Sequence, residues 1–286
     1  MNLSSWTSTV AGNHWAGLEC GEGPPLLALH GWLDNAGSFS RLAPLLPQRH
    51  WRMVDLPGHG LSFHRPRGAY YHFIDNVSDL LALVDHWGWE QFDLVGHSMG
   101  GGIATLLAAA APERIRSLTL IEAIGPLARA RDEEVVEDIR KGMRDRARAT
   151  EKQTRVHASR DSMHQARASA MGGLSAQATE DLLLRGLKEV DGGYTWSSDP
   201  RLTLHTPLRA CESQILALLR SIACPKLLLL ADPSTSYLDG PAAEVRIQAL
   251  QPIEVVRLAG THHLHLEDAI ALAPAIARLL ATEPAA

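Results

Sequence analysis

A serine between closely spaced glycines is the feature of this sequence that most directly indicates chemistry. Ser98 lies in the segment G-H-S-M-G at 96–100. An apolar run typical of a buried strand precedes it at 92–95, and a run of small residues typical of a helix follows at 102–109. A sharp strand-to-helix turn lifts one side chain out of the backbone, and it needs glycines on both sides. The pattern therefore predicts a nucleophilic serine on a nucleophile elbow.

Ser98 needs a general base, because a serine hydroxyl is a weak nucleophile at neutral pH, and the base needs an acid to orient it. In chains with this elbow the base is a histidine late in the sequence. Three histidines, at 262, 263 and 265, lie between the last predicted strand and the last predicted helix. We predict His263 as the base, since it occupies the expected loop tip, with His262 as the next candidate.

Two carboxylates that follow predicted strands are candidates for the orienting acid. Glu122 comes directly after the apolar strand 118–121, and Asp232 follows the strand 226–230. Both are expected at the carboxyl edge of a parallel sheet, where ligands bind in open α/β folds. Asp232 is followed by proline and serine, which is also typical of a turn, whereas a turn does not explain Glu122. Asp239 is a more remote candidate.

An oxyanion hole requires two backbone N–H groups directed at the developing negative charge. The N–H of Met99 is one candidate, because it follows Ser98 and begins a helix whose dipole is positive at this end. The loop at 29–34 supplies the other candidate, the N–H of Trp32. The predicted substrate pocket is lined by His30, Gly31, Leu33, His97 and Ile124.

The order of apolar runs and helical patterns indicates how these residues are positioned. Short apolar runs alternate with helical patterns before residue 125 and again after 208. This alternation predicts an α/β fold, a mostly parallel sheet with helices on both faces. The intervening segment is rich in polar helical patterns. We therefore predict a core of residues 1–125 and 208–286 and an inserted helical cap or lid at 126–207.

The composition excludes several classes of protein. The chain has 286 residues and a formal net charge of -5, which does not suggest a nucleic-acid binder. Its first residues lack the pattern of a secretory signal, and no apolar run is long enough to span a bilayer. The three cysteines, Cys20, Cys211 and Cys224, are far apart and indicate buried thiols. We expect a soluble cytoplasmic protein that acts on a small molecule, without cofactor, metal, nucleic acid or membrane.

Four segments resemble the α/β-hydrolase superfamily, and more closely its serine hydrolase-like members. They are L-H-G-W-L-D-N-A at 29–36, D-L-P-G-H-G-L-S at 55–62, G-H-S-M-G-G at 96–101 and H-L-H-L-E at 263–267. The resemblance implies an α/β-hydrolase fold with Ser98 as nucleophile and His263 as base. It also implies that the N–H groups of Trp32 and Met99 form the oxyanion hole. The tight glycine- and proline-containing turn at 55–62 is itself expected to shape the site.

The resemblance exposes one departure, at the acid. Many relatives place it a few residues beyond the strand 226–230, and the matching position here is Ser234, which cannot orient an imidazole as a carboxylate does. Some branches, including the haloalkane dehalogenases, place the acid after the earlier strand, and Glu122 is similar to that arrangement. We therefore favour Glu122 over Asp232.

These expectations lead to a serine hydrolase that acts by acyl transfer, with a small, partly apolar carboxylic ester as substrate. Thioester, lactone, amide and carbon–carbon bond hydrolysis use the same groups and stay open. The serine at position 234 also leaves a second hypothesis, a non-catalytic protein that binds a ligand in the same pocket. The basic residues at 140–155 are interleaved with acidic ones, which predicts a solvated, ion-paired face.

Overall fold

A computed structural model describes residues 2–128, 132–149, 155–170 and 173–282 of the chain. Its main sheet has eight strands: β1 (Ser4–Val10), β2 (Asn13–Cys20), β3 (Pro25–Leu29), β4 (His50–Val54), β5 (Phe92–His97), β6 (Ile115–Ile121), β9 (Lys226–Asp232) and β10 (Glu254–Ala259). They lie in the order β1-β2-β4-β3-β5-β6-β9-β10. β2 pairs antiparallel with both β1 and β4, and the other pairs are parallel. The predicted α/β architecture with a mostly parallel sheet is confirmed.

The described helices are α1 (Phe73–His86), α2 (Met99–Ala110), α3 (Val135–Arg148), α4 (Arg160–Ala168), α5 (Ala176–Gly186), α6 (Glu212–Ser221), α7 (Pro241–Ala249), α8 (Leu264–Glu267) and α9 (Ala269–Leu280). Side chains from α1, α2, α6 and α7 form the core on one face of the sheet. Side chains from α9 and from the segment 36–46 form the core on the other face. Successive strand residues alternate between the faces, so that Leu94 packs in the first core and Val95 in the second. Burial on both faces explains why the central strands β3, β5, β6 and β9 are largely apolar runs.

The segment 126–207 contains α3, α4 and α5 and a small antiparallel hairpin. The strands of this hairpin are β7 (Leu187–Val190) and β8 (Gly193–Trp196), which the polar helical patterns did not predict. Helix α5 contacts the loop after β3, where the Asn35 side-chain amide donates to the Leu182 carbonyl over 2.8 Å. The division into a core and a cap at these boundaries stays a prediction.

Two expectations from composition can be compared with the structure. None of the helices in the described ranges combines the length and the apolarity that a bilayer span requires. The three cysteines form no disulfide; Cys20 is buried, whereas Cys211 and Cys224 are only partly buried. The expectation that all three thiols are buried is therefore wrong for two of them, which lie beside the ends of α6.

Candidate active site

Ser98 lies at the junction of β5 and α2 in a strained backbone conformation. Its φ is 52° and its ψ is -116°, a combination that non-glycine residues rarely adopt and that concentrates at active sites. The chain is crowded around this turn. A Cβ on Gly96 would lie 2.5 Å from the Gly100 carbonyl oxygen, and a Cβ on Gly100 would lie 2.1 Å from the Leu29 carbonyl oxygen. Glycine is therefore needed at both positions, as the sequence pattern indicates.

His262 connects Ser98 to a buried carboxylate. Its Nε2 lies 2.9 Å from Ser98 Oγ, and its Nδ1 lies 3.1 Å from Glu122 Oε2. A neutral imidazole with its proton on Nδ1 donates to Glu122 and accepts the Ser98 hydroxyl proton at Nε2. This is the geometry of a nucleophile, a general base and an acid that orients the base.

Glu122 is held in place from both sides of its carboxylate. It follows β6 directly, is fully buried, and has a φ of 50°. Its Oε1 accepts from the Ala231 N–H over 2.6 Å, and its Oε2 accepts from the Thr235 hydroxyl over 3.4 Å. The strand end thus fixes the carboxylate at the sheet edge, facing His262.

The other carboxylate candidates lie away from this site. Asp232 is exposed at the end of β9. Asp239 is also exposed, 3.9 Å from Arg257. Ser234 donates to the Ala231 carbonyl over 2.7 Å, so it closes the turn after β9. Of the two acids weighed most closely in the sequence, the structure brings Glu122 to the histidine and leaves Asp232 in solvent.

The prediction of His263 as the base does not agree with this geometry and is corrected here. His263 is buried, and its Nε2 lies 3.4 Å from Asp34 Oδ2 rather than near Ser98. The sequence pattern predicts a single terminal helix, whereas the structure has a short helix α8 before α9, and His263 is the N-cap residue of α8. The loop tip therefore falls one residue earlier, at His262.

The comparisons with known proteins agree with this fold. Residues 24–165 match the family model described as alpha/beta hydrolase fold. A serine hydrolase-like protein of Danio rerio is 35% identical over 269 residues, which cover 90% of this chain and 82% of that protein. The chain belongs to the α/β-hydrolase family.

Two solved structures are similar to this α/β hydrolase over nearly its whole length. A hypothetical protein of Pseudomonas aeruginosa PAO1 has a TM-score of 0.92 at 38% identity, covering 97% of this chain and 99% of that chain. A thioesterase domain from the curacin biosynthetic pathway has a TM-score of 0.83 at 25% identity, covering 96% and 99%. The similarity thus includes the segment 126–207 as well as the sheet.

A cavity of about 430 Å³ in this α/β hydrolase opens onto Ser98. Trp32 and Met99, the predicted oxyanion residues, are among its lining residues. The Trp32 indole N–H donates to the Leu202 carbonyl over 3.1 Å, which ties the loop after β3 to the segment 200–203. As the first residue of α2, Met99 has a backbone N–H without an intrahelical acceptor. The roles of the two backbone N–H groups stay a prediction.

The five residues predicted to line the substrate pocket do not line this cavity. His30, Gly31 and His97 are buried behind it, Ile124 belongs to the core, and Leu33 faces a separate small cavity. These five residues lie within or next to the motifs in the sequence. Because most of them lie at or near the ends of buried strands, they face the interior. The lining includes residues without a motif, among them Tyr71, Phe73, Leu204, Thr206 and Tyr237.

His30 fixes the two loops beneath the cavity. Its Nδ1 donates to the Gly31 carbonyl over 2.7 Å, and its Nε2 accepts from the Leu56 N–H over 3.0 Å. Burial lowers the pKa of His30 to about 4, so that the neutral ring is kept at physiological pH. In the segment 55–62, the buried Asp55 carboxylate accepts from Arg185 on α5 over 2.6 Å. These contacts support the structural role predicted for that segment.

A second buried cluster lies behind His262. The Asp34 carboxylate contacts Arg167 of α4, His263 and, at 3.7 Å, His97 Nδ1. Burial opposes ionisation of Asp34, but Arg167 and His263 hold the pKa of its carboxyl well below its usual range. His97 Nε2 lies 2.9 Å from the His262 carbonyl, to which it donates. Burial and the neighbouring histidines lower the pKa of His97 well below its usual range, so it supports the His262 backbone as a neutral ring.

Asp34, His97 and His263 also offer ligand atoms that lie within 4.8 Å of one another. By distance and residue type, this group could hold a metal ion. However, the Arg167 guanidinium already contacts Asp34, and its positive charge opposes a cation beside it. The ion pair with Arg167 already balances the charge of the Asp34 carboxylate.

Proposed function

We propose that this α/β hydrolase cleaves carboxylic esters by acyl transfer through Ser98. The observation that carries the proposal is the continuous hydrogen-bonded series from Ser98 through His262 to the buried Glu122. A strained serine hydrogen-bonded to an imidazole that an anchored carboxylate orients is an activated nucleophile. The cavity in front of Ser98 gives a small, partly apolar ester access to it.

In the first half of the reaction, Ser98 Oγ attacks the ester carbonyl carbon while His262 Nε2 takes the hydroxyl proton. Glu122 stabilises the resulting imidazolium. The negative oxygen of the tetrahedral intermediate accepts hydrogen bonds from the N–H groups of Met99 and Trp32. The carbon–oxygen bond to the alcohol then breaks, and His262 returns the proton to the leaving alkoxide.

In the second half, water attacks the acyl-enzyme. His262 removes a proton from the water, and a second tetrahedral intermediate forms in the same oxyanion hole. Its carbon–oxygen bond to Ser98 then breaks, His262 returns the proton to Ser98 Oγ, and the acid is released. One ester and one water thus give one acid and one alcohol, without a redox step or a further reactant.

A thioester is the alternative scissile bond that a specific observation favours. The thioesterase domain from the curacin pathway is similar to this chain over nearly its full length. The same nucleophile and oxyanion hole serve oxygen and sulfur leaving groups. Turnover of matched oxyesters and thioesters with the same acyl group separates the two substrate classes.

The non-catalytic hypothesis depended on the serine at position 234, where many relatives have an acid. Glu122, hydrogen-bonded to His262, removes that support. A fluorophosphonate probe tests this directly, because labelling requires an activated serine but no knowledge of the substrate. We expect intact-mass analysis to detect one adduct on the native protein and none on the Ser98→Ala variant.

A second serine provides a matched control. Ser234→Ala removes a hydroxyl at the same sheet edge without touching His262, and we expect it to be labelled like the native protein. Absence of any adduct on folded native protein would overturn the acyl-transfer proposal. An adduct that persists in Ser98→Ala would overturn the assignment of the nucleophile.

A further inference from the structure

A second cavity, an apolar groove of about 820 Å³, lies beside the catalytic cavity. Its walls are formed by α1, α2 and α6, together with the segments 126–127 and 206–210. Of the described residues that line it, Arg209 alone carries a permanent charge. The volume falls within the range of small-molecule sites, which are mostly apolar.

The groove and the catalytic cavity adjoin each other. Both are lined by Phe73, Pro126, Leu127, Thr206 and Arg209. The shared lining places the groove directly beside the cavity that opens onto Ser98.

Three large apolar side chains of the groove are unusually exposed. Ile74, Leu127 and Leu208 have 61%, 51% and 62% of their surface accessible, although they lie on three separate segments of the chain. Apolar side chains that converge from distant segments and stay exposed commonly mark a binding surface. Here they face the same groove.

We propose that this groove binds the linear hydrocarbon chain of the ester while the ester group lies at Ser98. The inference rests on the proposed function and extends its substrates from small esters to esters with a long alkyl chain. The lining that the groove shares with the catalytic cavity favours a substrate chain over a separate ligand. The hydrocarbon chain is part of either the acid or the alcohol of the ester, and the test distinguishes these two cases.

Transfer of one methylene from water to an apolar site favours binding about fourfold. The groove is partly open, so we expect about half of this free energy, or about twofold per methylene in kcat/KM. Between butanoyl and decanoyl esters this amounts to roughly a 50-fold increase.

The test measures kcat/KM over two substrate series. One is p-nitrophenyl esters with acyl chains of two to twelve carbons, and the other is alkyl acetates of the same chain lengths followed by proton release. Ala217→Trp places an indole in the groove from the exposed side of α6. Ala242→Trp, at an exposed position on α7, is the matched control.

In the native protein and in Ala242→Trp, we expect kcat/KM to increase with chain length in one of the two ester series. In Ala217→Trp the ratio of decanoyl to butanoyl kcat/KM, or of decyl to butyl, falls at least tenfold. Leu208→Gln, which removes an exposed apolar side chain, lowers the same ratio and guards against a folding defect in Ala217→Trp.

Short esters separate the failure of this inference from the failure of the proposed function. If short esters are hydrolysed through Ser98 but neither series depends on length, the groove is not the chain site. An unchanged ratio in both groove variants overturns the inference equally. If no ester is hydrolysed and Ser98 is not labelled, the proposed function and the groove assignment fail together.

Discussion

The Arg167 guanidinium on α4 forms an ion pair with the Asp34 carboxylate in the loop after β3, and both side chains are buried. Asp34 also lies 3.4 Å from His263, the residue next to His262. The pair therefore joins the segment 126–207 to the loop that carries Trp32 and to the histidine loop. A contact in this position affects both stability and the geometry of the site.

A double-mutant cycle tests this ion pair. Arg167→Met leaves the Asp34 charge buried without its partner, and such a loss costs about 3 to 5 kcal/mol of unfolding free energy. Asp34→Asn leaves Arg167 unpaired and is also destabilising. Since the double variant removes both charges, we expect it to be less destabilised than the sum of the single variants by at least about 1 kcal/mol. Urea unfolding gives the free energy of unfolding of the native protein, the two single variants and the double variant. Losses of free energy that simply add in the double variant would contradict the prediction.

The two adjacent histidines should differ sharply in their effect on activity. His262→Gln removes the base that contacts Ser98, so we expect kcat/KM for a short ester to fall by about a thousandfold or more. His263→Gln keeps a polar group toward Asp34 and does not touch Ser98. We expect it to lower kcat/KM less than tenfold. Equal losses in the two variants would show that the base is wrongly assigned.

The choice between these histidines illustrates what the sequence could and could not predict. The nucleophile elbow could be predicted because its glycines, the preceding strand and the following helix are adjacent in the sequence. The histidine loop was readable too, but which ring faces Ser98 depends on the short helix α8 and on Asp34, far earlier in the chain. Local periodicity contains no information about such a partner.

The cavity lining shows the same limit. Phe73, Leu204 and Tyr237 come from three distant segments, and no motif marks them. Residues close to the motifs, such as His30 and Ile124, were expected in the pocket, but the strand ends turn them into the interior. The sequence thus indicated the reacting groups better than the surface that binds the substrate.

The acid can be tested with a matched pair of amide substitutions. Glu122→Gln keeps the size of the side chain but removes the charge that stabilises the His262 imidazolium. We expect kcat to fall by about a hundredfold to ten-thousandfold. Asp232→Asn makes the same chemical change at an exposed strand end, and we expect kcat within twofold of the native value. A large loss in Asp232→Asn with little loss in Glu122→Gln would reverse the assignment.

Backbone strain at Ser98 predicts an effect on stability. The φ of 52° and ψ of -116° are costly for a residue with a side chain, by about 1 to 3 kcal/mol, whereas glycine adopts them readily. Glycine at position 98 therefore relieves strain in the folded protein. Part of this stabilisation is lost because glycine also gives the unfolded chain more conformational freedom. We expect inactive Ser98→Gly to be more stable than inactive Ser98→Ala by about 1 kcal/mol. Thermal unfolding compares them, and equal or reversed stability would argue against strain at the elbow.

Buried neutral histidines predict how stability depends on pH. Burial lowers the pKa of His30 to about 4 and that of His59 to about 3, and it lowers the pKa of His97 and His265 well below the usual range. In the unfolded chain these rings take up protons near their ordinary pKa of about 6.5. Their contribution to stability is therefore complete above about pH 6.5 and is lost as the pH falls toward the folded-state pKa values.

The size of this effect can be measured between pH 7.5 and pH 5.5, a range in which few carboxylates titrate. Each such histidine contributes a slope that approaches about 1.4 kcal/mol per pH unit below pH 6.5. We expect urea unfolding to give a free energy that decreases with falling pH. In His59→Gln we expect this slope to be smaller by up to about 1.4 kcal/mol per pH unit, because one buried ring no longer titrates. A free energy that stays constant or rises as the pH falls would mean that these rings accept protons in the folded protein.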